Sequence, residues 1–316
     1  KRQSLLRQLY REKHTPQESR YALILQATRQ LKDENTDQIM AIFDDALSVP
    51  QEDAGIYLIK AMVMVRHDFP RDEVNAVYRQ ALAVEPDNEM AQGLLVQDLA
   101  EEERFGEIVD LCKTSLQYTP DNQQLCYFEG FSLFQLKRND EALASLQKTV
   151  ELRDEESDSG MMADCYSLMG EIYREKGMNK ACYEAYDSCL HYAPDNVGAL
   201  NNYAYYLSLD SAADLQKAEQ MSLKAVQKEP DNATFLDTYA WILFKEKRYD
   251  DAKTIAERAI ASDSTLSSVV VEHCGDIFYM AGDTDRAMEM WQKAAQEDEN
   301  NAILRRKIEL KKYIEE

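Results

Sequence analysis

The sequence predicts an all-α chain, a right-handed superhelical α-solenoid of antiparallel helix pairs with about eight repeats and a C-terminal capping helix. Three observations carry this expectation. A Pro-Asp-Asn turn recurs at Pro86, Pro120, Pro194 and Pro230, with the first two prolines 34 residues apart and the last two 36 apart. A small residue recurs at Ala46, Ala81, Ser115, Thr149, Cys189, Ala225, Ala259 and Ala294, in steps of 34 to 36 residues broken by a single step of 40. Only 10 Gly and 7 Pro occur in 316 residues, and β-branched runs are almost absent, a balance that favours helix throughout.

The turns set the elements. Proline cannot continue a helix, and the Asp or Asn that follows it can cap the next one. Each Pro-Asp-Asn therefore ends one helix and starts another. Between the turns the apolar residues follow a helical period. Residues 1–15 read as a partial repeat or N-terminal helix, 16–153 as repeats one to four and 161–299 as repeats five to eight. The 40-residue step falls at 154–160 (DEESDSG), an acidic insertion that lengthens a loop or hinges two blocks of four repeats. Residues 300–316 read as an amphipathic capping helix with Ile303, Ile308 and Ile314 available for packing and charges outside, as the wet end of a solenoid requires.

In repeat five, Tyr166-x2-Met169-Gly170-x2-Tyr173 is followed by Cys182-x3-Tyr186 and then Pro194. This resembles the tetratricopeptide-repeat signature of a large residue, Leu-Gly, Tyr, then Ala-x3-Phe and Pro. Gly170 and its equivalents let two helices approach closely. Similar patterns start at Cys126, Leu200, Leu236 and Val271, with weaker ones at Leu58 and Leu95 and a degenerate first repeat between Leu23 and Phe43. The wording of repeats six to eight, Asn201–Leu207, Phe235–Trp241 and Val271–Asp276, resembles tetratricopeptide-repeat proteins exported to the cell envelope of Bacteroidetes-type bacteria. That resemblance implies a periplasmic protein or an outer-membrane-anchored lipoprotein, whose signal or anchor would precede Lys1. Six cysteines point instead to the cytoplasm.

The net charge is −22; residues 1–15 carry +4 and 302–316 carry +2, so the stretch between carries −28. Such a field repels phosphate backbones and argues against nucleic acid as a partner. No apolar run is long enough for a membrane span. Cys112, Cys126, Cys165, Cys182, Cys189 and Cys274 form no CxxC and have no His at zinc-ligand spacing. They read as six free thiols used for packing, with one disulfide inside repeat five as the alternative. The four histidines are scattered, and no Ser/His/Asp, HExxH or glycine-rich phosphate loop occurs. The chain therefore reads as no enzyme, with no cofactor, metal or small-molecule substrate.

In arrays of this resemblance the first helix of each repeat lines a concave groove. Helical spacing then places on that face Tyr127, Phe131 and Phe134 in repeat four, and Ser167, Glu171 and Arg174 in repeat five. Repeat six offers Asn201, Asn202, Tyr205 and Ser208, repeat seven Asp237, Trp241 and Phe244, and repeat eight Glu272, Asp276 and Tyr279. An aromatic, acidic groove suits an extended peptide or protein segment with apolar and basic residues, and repels a carboxylate terminus. The expected function is a protein–protein interaction scaffold; the alternative is an assembly platform acting through self-association. Trp241 should line the groove and stay partly wet, whereas Trp291 should be buried between helices.

Overall fold

The computed structural model describes residue 24 and residues 36–210, 214–263, 265–298 and 300–315. The helix expected over 1–15, and the first helix of repeat one, lie outside them. Sixteen α-helices and no strand occur among the described residues. α1 (Thr36–Leu47) stands where the second helix of repeat one is expected. The pairs α2 (Gly55–Arg66) with α3 (Arg71–Val84), α4 (Glu89–Glu101) with α5 (Phe105–Ser115), and α6 (Gln123–Gln135) with α7 (Asn139–Glu151) follow. Then come α8 (Ser159–Glu175) with α9 (Asn179–Tyr192), α10 (Val197–Ser208) with α11 (Leu215–Lys228), α12 (Ala233–Lys245) with α13 (Tyr249–Ser262), and α14 (Ser268–Met280) with α15 (Thr284–Glu297). α16 (Ala302–Leu310) ends the helical part. The chain divides into two compact units at Met161 and Met162. In each, the substantial helix–helix contacts join helices one or two places apart, which is the contact order of an α-solenoid.

Local chemistry explains the boundaries. In the Pro-Asp-Asn turns it is the Asn that caps: the side chains of Asn88, Asn122, Asn196 and Asn232 accept from the backbone N–H groups of Ala91, Leu125, Ala199 and Phe235. Asn301 does the same for Leu304 without a preceding proline. Each such cap is worth about 1 kcal/mol. The turn inside each pair has a different device. Asp68, Glu103, Lys137, Gly177, Lys247 and Gly282 adopt left-handed backbone, with φ between 54° and 84°. The next residue's N–H then reaches back to the last helical turn, as in Arg138 N to Leu133 O and Arg248 N to Leu243 O, both 2.9 Å. Only two of these six positions are glycine, so residue type gave little warning of the turn.

The eight small register residues are all buried. Opposite them, glycines on the first helices admit large side chains from the second. A Cβ on Gly170 would stand 2.8 Å from the Tyr186 ring, one on Gly130 would stand 2.7 Å from Leu146 Cγ, and one on Gly275 would run into the Trp291 indole. Residues 154–158 form a turn in which Ser157 Oγ donates to Gln123 Oε1, while Ser159 and Gly160 already belong to α8. All six cysteines are buried free thiols. Burial pushes Cys182 and Cys189 up to about 11 and Cys274 up to about 12, so these thiols are protonated and unreactive near neutrality.

The capping helix differs from expectation. α16 stops at Leu310, where Lys311 takes left-handed backbone, so Ile314 lies in the tail beyond it. The residues α16 buries are Leu304 and Lys307, not Ile303 and Ile308, which are only partly covered. A lysine is admitted because two carboxylates meet it there.

Candidate functional site

In the first unit, the first helix of repeat four carries Tyr127, Phe131 and Phe134, all half-buried. Tyr127 stacks on Phe131 at 6.2 Å between centroids, Phe131 meets Phe105 of α5 edge-on at 5.9 Å, and the Lys137 ammonium lies 5.4 Å from the Phe134 ring centre. This is an aromatic patch that remains in partial contact with solvent.

In the second unit, Glu171 on α8 is a hydrogen-bond hub. Its carboxylate accepts from the Tyr186 hydroxyl on α9, from the Tyr206 hydroxyl on α10 at 2.7 Å and from Asn202 Nδ2 at 3.1 Å. Burial, reinforced by the Glu171 charge, pushes both phenols above their ordinary pKa. Arg174 sits one turn along, 5.2 Å over the Tyr206 ring and bonded to Asn179 Oδ1. Asn201, Asn202 and Tyr205 share the next helix. Asn202, Tyr205, Ser167 and Arg174 are half-buried, whereas Asn201 and Ser208 are buried. Asn201 donates from Nδ2 to Asn202 at 3.3 Å, but its Oδ1 is buried with no hydrogen-bond partner among the described residues.

Repeats seven and eight depart furthest from the expected groove. Asp237, Trp241 and Phe244 on α12, and Glu272 and Asp276 on α14, are all buried, and only Tyr279 is half-buried. Trp241 is 7% exposed against 0% for Trp291, so the contrast expected between the two tryptophans is reduced to a small one. The reason is that the first helix of the following repeat packs onto the face of the one before. Asp237 accepts from His273 Nδ1 of α14 at 3.0 Å. His273 stacks on Trp241 at 4.0 Å, and Trp241 on Phe244 at 4.8 Å. Lys307 of α16 reaches Glu272 at 2.7 Å and Asp276 at 2.8 Å. Asn301 Nδ2 also donates to Glu272, and Trp291 Nε1 donates to Asp276 at 2.9 Å.

The carboxylates expected to attract basic ligand residues are therefore occupied. Glu171, Asp237, Glu272 and Asp276 each accept from side chains of this same unit. Their electrostatics follow from burial. Desolvation raises Asp276 to about 6 against the opposing pull of Lys307 and Trp291. Burial works against the charged forms of His273 and Lys307, yet the carboxylates around them hold both pKa values above ordinary. Sequence reading did not pick out His273, Lys307 or Tyr313 for this face. Lys307 had a signal, a lysine three residues after Leu304 on the apolar stripe of α16, whereas the reach of Tyr313 back to Phe244 had none.

The tetratricopeptide repeat family profile matches residues 163–196. No curated protein matches the sequence at a significant level. Among solved structures, the chain is similar to a tetratricopeptide repeat protein from Parabacteroides merdae, at a TM-score of 0.53 and 14% identity, over 82% of this chain and 98% of that one. It is also similar to YrrB, a tetratricopeptide-repeat protein described as having an unusual peptide-binding site, at a TM-score of 0.51 and 11% identity, over 59% and 92% of the two chains. A third likeness is to the Cut9–Hcn1 hetero-tetramer of APC/C, at a TM-score of 0.53 and 12% identity, over 94% of this chain and 57% of that one. These identities speak for the fold alone. One helix pair, at residues 163–196, matches the tetratricopeptide repeat profile, and the chain as a whole shares the fold of these tetratricopeptide-repeat structures.

Proposed function

We propose that the protein is a non-catalytic protein–protein interaction scaffold that holds an extended peptide or protein segment on the first-helix faces of its second unit. The observation that carries this reading is a pair of buried polar atoms on neighbouring first helices. Asn201 Oδ1 on α10 and Trp241 Nε1 on α12 have no hydrogen-bond partner among the described residues. A buried donor or acceptor left unmade costs about 1–3 kcal/mol. Both atoms are sealed from solvent, so the alternating N–H and C=O groups of an extended backbone complement them only once the side chains over them turn aside. Half-buried Arg174, Asn202 and Tyr205 stand beside them on α8 and α10 and add adaptable contact area. The aromatic patch of Tyr127, Phe131 and Phe134 is a second candidate surface, in the first unit.

With Glu171, Asp237, Glu272 and Asp276 bonded internally, the ligand is selected by apolar side chains and backbone groups. The −22 net charge acts on a basic ligand only as a long-range, salt-sensitive attraction. YrrB, which shares the fold, is described as having a peptide-binding site, and that is in keeping with this reading.

Peptides selected from a random display library on the purified chain test the proposal. Trp241→Phe keeps the ring area and removes the Nε1 donor. It should leave the helical signal and stability unchanged or slightly improved, while weakening the selected peptides by about 0.5–1.5 kcal/mol. Tyr205→Ala should weaken them as well. If the library yields no binder, or its binders ignore both substitutions, the proposal is wrong.

A further inference from the structure

The turns inside the helix pairs fix the register of the first unit. Asp68, Glu103 and Lys137 take left-handed backbone, with φ of 54°, 55° and 60°. Seven residues before them stand Ala61, Val96 and Gly130, all buried. Three residues before them stand Val65, Ala100 and Phe134, and six before them Met62, Gln97 and Phe131, all exposed or half-buried on one shared face of α2, α4 and α6. Met62 and Val65 are 62% and 53% exposed, and Met90 at the start of α4 is 65% exposed. The core shared by Met64, Leu95 and Leu125 sets the three helices side by side.

This face has a shape. Its large side chains stand on the outer helices, Met62 and Val65 on α2 and Phe131 and Phe134 on α6. The middle helix presents Gly93 and Ala100, two turns apart on one line. A Cβ on Gly93 would meet only Gln124 Oε1, at an ordinary 3.5 Å. Thus α4 is the floor of a trough between two walls, about 15 Å long from Met90 to Ala100. The α6 wall is braced. Phe131 stacks on Tyr127 and meets Phe105 edge-on, Tyr127 meets Phe128 edge-on, and Lys137 lies over Phe134.

We infer that this trough docks the apolar stripe of a basic amphipathic helix supplied by a partner protein. It is a site apart from the second-unit face of the proposed function, and it takes a ligand of different shape.

Hydrogen bonding sets the shape of the occupant. Gln97, Gln124 and Tyr127 supply the polar atoms of this face, too few for an extended backbone. A helix bonds its own backbone and offers side chains at i, i+3, i+4 and i+7. Charge sets its sign. None of the residues three, six and ten places before the three turns carries a charge, whereas the same places in the second unit hold Glu171, Arg174, Asp237, Glu272 and Asp276. The rim of the trough is mostly acidic. Asp53, Asp87, Glu89 and Asp121 are exposed before or at the start of the three helices, and Asp68 and Glu103 at their ends, against Arg66 and Lys137. Glu101 and Glu102, beside Glu103, are held by Arg71 and Arg104. A second copy would bring the same acidic rim and be repelled. Lys and Arg along the edges of a partner's apolar stripe are the complement. Met62 and Met90 are unbranched and polarizable, so the face refits to the stripe that arrives.

The test uses the full chain and a fluorescein-labelled peptide of Leu and Lys with its leucines at i, i+3, i+4 and i+7. Gly93→Phe fills the floor without entering the core, and Met62→Lys puts a cation on the exposed wall. Each should weaken the peptide by about tenfold or more while leaving the helical signal and unfolding midpoint of the chain near those of the unaltered one. Met62→Leu should bind like the unaltered chain. A peptide of the same composition with Leu and Lys alternating, and a helix with Glu in place of Lys, should both bind by about tenfold more weakly or worse. Added salt should weaken the Leu–Lys helix. Equal binding to the unaltered, Gly93→Phe and Met62→Lys chains would show attraction by net charge alone and overturn the inference. Tighter binding of the alternating peptide would assign the trough to an extended segment, and a concentration-dependent dimer that disappears with Gly93→Phe would assign it to a second copy; either overturns the inference. Trp241→Phe should leave the helical peptide's affinity unchanged, which keeps this test separate from that of the second-unit face. Loss of the peptide in Trp241→Phe but not in Gly93→Phe would overturn the inference as well.

Discussion

Gly170 and Lys247 are informative because each holds a residue type that local propensity alone would change. Alanine favours helix over glycine by about 0.5–1 kcal/mol, so Gly170→Ala would be stabilising if only the helix mattered. Here a Cβ would stand 2.8 Å from the Tyr186 ring, and Tyr186 is itself pinned by Glu171. Overpacking of that kind costs about 1–3 kcal/mol, and the expected outcome is a net loss of stability in urea unfolding. Lys247 shows the reverse. It sits at φ 63°, a conformation that costs an L-residue about 1–2 kcal/mol and glycine nothing. Its side chain is exposed, so Lys247→Gly should raise the midpoint of thermal unfolding by the equivalent of up to about 1 kcal/mol after glycine's own chain entropy is subtracted. A fall in midpoint for Lys247→Gly would refute the account given of the turns.

At the scale of elements, α16 is attached by charge as well as by the buried Leu304 of its apolar stripe. Lys307 is 1% exposed and pairs with the carboxylates of Glu272 and Asp276, the first of which also accepts from Asn301. Lys307→Met would leave two buried carboxylates without their cation and should cost about 3–5 kcal/mol. Adding Glu272→Gln and Asp276→Asn to Lys307→Met should recover much of that loss, because a buried ion cluster replaced as a whole is far less costly than one broken. Two-state analysis of the single and triple variants checks this.

The α12–α14 junction should respond to pH. His273 has a folded pKa above its ordinary 6.5, so its contribution to stability is fully present below about pH 6.5 and is lost as pH rises through the folded value. Asp276, raised from 3.8 to about 6, acts in the same direction: the folded state holds its proton more tightly, and stability falls as pH rises from about 4 through 6. The stability difference between the unaltered chain and His273→Gln should therefore be largest at acid pH and shrink on the alkaline side. A difference independent of pH would show that His273 acts through its stack on Trp241 alone. An imidazole titration followed by NMR locates the midpoint directly.

At the scale of the whole molecule, helices touch substantially only those one or two places away. Stability in such an array is a sum of repeat and neighbour terms, and disturbance stays local. Hydrogen exchange on the Lys307→Met chain should accelerate in α14, α15 and α16 and leave α2 to α6 unchanged. Uniform acceleration along the chain would contradict the nearest-neighbour picture.

Much of the molecule was legible from residues alone because a solenoid is specified by local repetition. The Pro-Asp-Asn turns, the 34-to-36-residue register from Ala46 to Ala294 and the glycines opposite Leu146, Tyr186 and Trp291 determined the helix pairs and packed faces among the described residues, and each of these depends on neighbours close in sequence. The turns at Lys137 and Lys247 were less legible, since a lysine in left-handed backbone announces itself by no residue type. The candidate face was half legible. Helical spacing put Asp237, Trp241, Phe244, Glu272 and Asp276 on one side of their helices, but period alone cannot tell a face that meets solvent from one that meets the next helix. Only the tertiary structure decided that His273 and Lys307 would reach those carboxylates from 36 and 35 residues away, and that Tyr313 would come back to Phe244. Pairings of that separation depend on how one repeat is set against the next, an angle that many side chains fix together and no short motif encodes.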